Sequence, residues 1–147
     1  MINKKRNKLL ALALAIMLAI YVLANVFSNE NRIDRLVTRN LSFLNECVKS
    51  KSYNEIYKLK TIKKITPYTY NKNEAYIDFY CYGFGLVPSS IYYGFYYTSK
   101  DEPVGFQAVP VEFRKDGDGW RWEEQGGDNW QYTRKIAEHW YYYKAGF

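Results

Sequence analysis

Hydrophobic positions change their spacing twice along this chain. The first run, Leu9 to Phe27 (LLALALAIMLAIYVLANVF), has no period at all: nineteen residues without a charge. At about 1.5 Å per residue it would span roughly 28 Å as a helix, close to the hydrocarbon thickness of a bilayer. Farther on, Ile33, Leu36, Val37, Leu41, Leu44 and Val48 recur at three- and four-residue steps. They predict an amphipathic helix within 31–60. Ser50-Lys51-Ser52 is expected to break it, and Ser52 with Glu55 has the form of a capping box that opens a shorter second helix.

After Lys60 the period falls to two. Thr61–Thr69 predicts a strand that Pro67 confines to an edge or a bulge. In 74–82, Ala75, Ile77, Phe79 and Cys81 face one way, and Tyr76, Asp78, Tyr80 and Tyr82 the other. Ser90–Thr98 alternates with aromatics on both faces. Ala108–Arg114 and Gly119–Glu123 flank Lys115-Asp116-Gly117-Asp118, a hairpin signal. In the tail, Asp128 is a good N-cap, and Trp130, Thr133, Ala137 and Trp140 fit a helical face. A short helix followed by an extended, docked end is expected there. The class is therefore α+β: an N-terminal transmembrane helix, then one or two helices packed on an antiparallel meander of about five strands.

Charge sharpens the first run. Lys4, Lys5, Arg6 and Lys8 precede it, with no acid. The run fits a membrane-spanning helix or a secretory signal peptide, with Val22-Leu23-Ala24 a passable cleavage site. Its length, early start and lack of a helix breaker favour an uncleaved anchor. The basic flank then places the N-terminus in the cytoplasm. Residues 1–27 form the flank and anchor, and 28–147 an extracytoplasmic domain. That domain holds 17 basic and 15 acidic residues, so most of the chain's net +6 belongs to the flank. So balanced a domain does not fit nucleic-acid binding by phosphate neutralisation.

Few residues fit catalysis. His139 is the only histidine, and a Cys81–His139 dyad has no third group to orient it. Cys47 and Cys81 are the only cysteines, and an outside location permits a disulfide between them. Asp116 and Asp118 lack the glutamate a calcium loop needs twelve positions on, where Gly127 stands. Glu123 and Glu124 are neighbours, so on a strand they point apart and cannot serve as a glycosidase pair. Gly83-Phe84-Gly85 lacks the third glycine and helix of a phosphate loop. No metal site or cofactor is expected.

What remains is an aromatic load of 28 residues in 147, 16 of them tyrosine. Such residues build cores in small sheets and also form contact platforms. The outward set Tyr80, Tyr82, Tyr92 and Tyr96 is the candidate binding patch, for a protein partner or a wall polymer. The run YYGFYY, the hairpin RKDGDGWRW and the ending EHWYYYKAGF resemble a group of small, uncharacterised, membrane-anchored proteins of Gram-positive bacteria. That resemblance implies location and no activity. The architecture is also similar to cystatin-like and NTF2-like domains, an analogy of fold alone. The expectation is a non-catalytic, membrane-anchored binding or assembly module. The alternatives are a wall or peptide hydrolase using Cys81 or an acid from 112–124, and an inhibitor or immunity-type protein.

Overall fold

The computed structural model describes residues 2–26, 28–71, 74–86 and 89–147. The chain divides into two units, the first ending at Arg32 and the second running from Ile33 to Phe147. The first unit is dominated by helix α1, Ile2–Val26. The uncharged run is helical as far as Val26, and Phe27 lies outside the described residues. Side chains along this helix such as Leu10, Leu14, Leu18 and Tyr21 are more than half exposed. Among the described residues no helix is long and apolar enough to cross a membrane, so the expected anchor is not supported here.

The second unit carries three short helices, α2 (Asn29–Arg39, begun in the first unit), α3 (Leu41–Ser50) and α4 (Tyr53–Ile56). The single long helix expected from the apolar stripe is thus interrupted at Asn40, whose side-chain amide donates to the Leu36 carbonyl at 2.7 Å. That bond gives the backbone a local alternative to helix. The break at Lys51 is as expected; this residue adopts a left-handed φ of 57°. Ser52 does precede α4, but its side chain makes no cap bond, and Glu55 pairs with Lys58 instead. The capping box is therefore not formed.

The sheet has seven strands rather than five, all antiparallel: β1 (Lys64–Asn71), β2 (Glu74–Leu86), β3 (Ser89–Thr98), β4 (Arg114–Asp116), β5 (Gly119–Glu123), β6 (Trp130–Ala137) and β7 (Trp140–Gly146). Their spatial order is β1-β2-β3-β7-β6-β5-β4. Pro67 lies on β1, the sheet edge, where its missing N–H is harmless. The expected strand over 108–114 shrinks to Arg114–Asp116, and the hairpin turns at Gly117 with φ +57°.

The tail departs most from expectation. Asp128 starts no helix; 130–146 is a hairpin, and its second strand sits in the middle of the sheet. Trp140, Tyr141, Tyr142 and Tyr143 are each at most 1% exposed. An unbroken aromatic run is what a strand covered on both faces requires. Trp140 and Tyr142 pack with Ile33, Val37, Leu44 and Ile56 of the helices. Tyr141, Tyr143 and Ala145 pack on the opposite face with Tyr76, Tyr96 and Ala108.

That opposite face is closed by the segment 99–113, a strap joining β3 to β4. Its Val104, Phe106 and Ala108 press on the tyrosines. Gln131 fastens it, accepting from the Phe106 N–H at 2.6 Å and donating to the Val104 carbonyl at 3.1 Å. Asp101 fastens its start, accepting from the His139 N–H at 2.8 Å and pairing with Lys135. The second unit is thus three layers, helices, sheet and strap.

Candidate binding surface

The four tyrosines expected to form one outward patch do not share a face. β2 carries a bulge between Tyr80 and Tyr82: Tyr80 pairs with Gly94, while Tyr82 pairs with Tyr93. The extra residue is Cys81, and it reverses the alternation beyond it. Tyr82 therefore packs beside the helix-side core with Tyr93. Tyr96 is on the strap side but fully buried, its ring stacked 5.3 Å from Tyr141. Only Tyr80 and Tyr92 remain together at the surface, half-buried, with ring centres 6.0 Å apart in an edge contact.

This pair has further aromatic neighbours. Tyr92 lies 5.5 Å from Phe106 of the strap and 6.1 Å from Phe147. Gly83 leaves room for the Tyr80 ring to lie along its own strand; a Cβ there would fall 2.2 Å from the Tyr80 hydroxyl. Burial, and then the neighbouring Tyr92, pushes the Tyr80 hydroxyl above its ordinary range, so it stays a neutral donor. Phe84, at the end of the β2–β3 hairpin, is 81% exposed. Gly83 to Leu86 and Ser89-Ser90 are strand, and Val87 and Pro88 lie outside the described residues.

The residues weighed for catalysis are apart from this surface. Cys81 is fully buried, its thiol donates to the Phe79 carbonyl at 3.6 Å, and burial pushes its pKa well up. Such a thiol is not a nucleophile at neutral pH. His139 sits in the β6–β7 turn at φ 68°, its Nδ1 2.9 Å from the Thr98 carbonyl. Cys47 is also buried, and both cysteines are free, so the disulfide that an outside location would permit is not formed. Asp118 accepts from the Tyr132 hydroxyl at 2.7 Å, and Glu123 pairs with Arg121 at 2.7 Å. Among the described residues no three His, Cys, Asp or Glu side chains converge on a metal-sized site.

Among the clefts of the described residues, two lie on opposite sides of the sheet. One of about 240 Å³ lies under the strap, between Tyr76, Thr98 and Lys100 on one side and Pro103, Val104 and Pro110 on the other. The other, about 540 Å³, opens on the helix side between Lys49, Lys51, Tyr53, Tyr97, Glu138 and His139.

Asp78 is a group that alternation put on the right face without showing its burial. It stands on the tyrosine side as expected, but the strap makes that side interior, and Asp78 is 5% exposed. Its Oδ1 and the Tyr143 hydroxyl are both buried, and neither finds a well-formed hydrogen bond among the described residues. Desolvation pushes its carboxyl up to about 7, against smaller opposing effects of Tyr143 and Lys64. Phe84 and the lysines near it were also missed; an apolar residue between two glycines was the available signal for the former.

No protein family matches this chain, and neither curated proteins nor solved structures contain a match.

Proposed function

We propose that this chain is a non-catalytic binding module held at a membrane by residues 9–27, with its N-terminus cytoplasmic and the domain from residue 28 outside. The membrane part rests on nineteen consecutive uncharged residues behind a basic flank, and on the exposed apolar side chains of α1. The binding part rests on one observation: Tyr80 and Tyr92 stand together at the surface, beside Phe106 and Phe147, while Tyr96 is buried and Tyr82 lies on the helix side. Half-buried tyrosines offer a rigid apolar face and a hydroxyl at little entropic cost on binding. The occupant is a polypeptide or a wall polymer.

A photoreactive phenylalanine analogue in place of Tyr92, in the full chain within its native cell envelope, tests this. Illumination should join the chain to one defined polypeptide or to wall polymer. The double variant Tyr80→Ala, Tyr92→Ala should weaken retention of that partner about tenfold or more. A chain that crosslinks to nothing, or a double variant that binds as well as the parent, would overturn the reading.

A further inference from the structure

On the helix side of the sheet, strand register lines up two rows of side chains that the helices leave partly open. Phe84, Ile91, Gly146 and Trp130 stand opposite one another across β2, β3, β7 and β6. Tyr82, Tyr93, Lys144 and Tyr132 form the next row. Tyr82, Tyr93 and Tyr132 pack beside the helix-side core, which fixes the face that both rows share. In the third row Phe95 and Tyr142 are already buried in that core. Phe84 is 81% exposed, and Ile91, Tyr93, Lys144 and Trp130 are partly exposed. With strands about 4.8 Å apart, the first row runs about 14 Å from Phe84 to Trp130. An apolar row of that length at the surface marks a contact site.

A glycine shapes this surface. Gly146 is buried beneath Trp130, and a Cβ there would fall 2.3 Å from the indole Nε1. The indole therefore lies down against β7 instead of standing off the sheet. The Lys144 ammonium lies 5.4 Å from this ring and 5.5 Å from that of Tyr93. Arg121 of β5, 5.1 Å from the Trp130 ring, pairs with Glu123 at 2.7 Å. Arg134, in the third row, is matched by Asp34 at 2.8 Å and Asp118 at 3.5 Å. Lys144 differs from both arginines: among the described residues it meets rings rather than an acid.

Two properties choose the occupant. β3, β7 and β6 have bonded neighbours on both sides, so a peptide strand cannot join the ladder here. Aromatic faces are electron-rich and attract the weakly positive C–H face of a sugar ring. Lys144, set between two such rings, adds a positive charge that no carboxylate of the chain neutralises. We infer that these rows are a second binding face, for a glycan chain bearing anionic groups. Its sugar rings stack along Phe84, Ile91 and Trp130, and an anionic substituent meets Lys144. This face is across the sheet from the Tyr80–Tyr92 pair and does not rest on the reading above.

The test is calorimetric titration of the full chain, held in phosphatidylcholine vesicles, with oligogalacturonate, hyaluronate oligosaccharide and uncharged cello-oligosaccharide. The two anionic chains should bind more tightly than the neutral one. Trp130→Ala should weaken them about tenfold or more. Lys144→Gln should lower their affinity to that of the neutral chain. Gly146→Ala, which displaces the indole, should weaken binding with Trp130 still present; circular dichroism checks that the sheet is intact in each variant. The double variant Tyr80→Ala, Tyr92→Ala should bind these glycans as the parent does. A parent that binds neither anionic glycan, or a Trp130→Ala variant that binds as the parent does, would overturn the inference. Equal affinity for charged and neutral chains would overturn the role given to Lys144. Loss in the Tyr80, Tyr92 double variant alone would move glycan binding to the other face, so either proposal can fail without the other.

Discussion

The Tyr96 hydroxyl lies 2.8 Å from Thr133 Oγ1 inside the face sealed by the strap. Its direction is fixed by the neighbours. Thr133 spends its own proton on the Tyr142 carbonyl at 2.7 Å, so Tyr96 donates to Thr133 and accepts from the Val104 N–H at 3.0 Å. One buried hydroxyl thus joins two strands to the strap. Tyr96→Phe leaves the Val104 N–H without its partner and should cost about 1–3 kcal/mol. Urea denaturation gives the loss, and hydrogen exchange should place it at Val104 and its strap neighbours. Unchanged protection at Val104 would contradict the strap's attachment through this hydroxyl.

Gly94 faces Tyr143 across the β3–β7 ladder. A Cβ there would fall 2.4 Å from the Phe79 carbonyl oxygen and 2.6 Å from the Tyr143 hydroxyl. The carbonyl belongs to the β2 backbone and cannot swing away as a side-chain end does. Gly94→Ala should therefore destabilise by more than about 3 kcal/mol, at the severe end of overpacking. Gly126→Ala is the contrast: φ is +77° but the space is open, so only the backbone preference, about 1 kcal/mol, is lost. Thermal midpoints of the two variants should separate clearly, Gly94→Ala being far lower.

Which parts of this fold were legible follows from whether one period or two covers acted on a segment. Ile33, Val37 and Leu44 sit at helical spacing and bury one face only, so the stripe was readable, while the Asn40 break needed knowledge of a single side-chain bond. Tyr141 and Tyr143 could not be assigned a cover from sequence, because the strap that buries them lies about thirty residues earlier and has little regular structure. The same cover turned Asp78 and Tyr96 from expected surface groups into interior ones. The candidate patch failed at Tyr82 for a local reason: a period-two reading holds until a bulge, and nothing in YCYG marks Cys81 as the extra residue. Tyr80 and Tyr92 stay on the strap side and half-exposed, with Phe106 of the strap against Tyr92.

Cys47 and Cys81 are buried free thiols in the same helix-side core. Without reductant, an alkylating reagent should leave the folded chain unmodified and add two groups once it is denatured. Reductant should not move the denaturation midpoint, since there is no bridge to break. Mass spectrometry of the denatured, unreduced chain decides it; absence of alkylation there would mean a disulfide.

Asp78 makes stability depend on pH in an unusual sense. Its carboxyl is raised from 3.8 to about 7 in the fold, first by desolvation. Facing it are Tyr143 from β7 and Lys64 from β1, and neither offsets the burial. Between those two values the folded chain holds a proton that the unfolded chain has released. Stability due to this group is therefore full below about pH 4, falls as pH rises to about 7, and then levels off. The span corresponds to a loss of about 4 kcal/mol. Asp78→Asn removes the ionisation while keeping the shape. Its stability should be flat across this window and exceed the parent's at pH 8 by about 2 kcal/mol, the remainder offset by burying an amide. Denaturant titrations at pH 5 and pH 8, followed by tryptophan fluorescence, compare the two. A parent whose stability rises over this interval, or an Asp78→Asn variant that keeps the parent's slope, would show that Asp78 is ionised in the folded chain and that water reaches it beneath the strap.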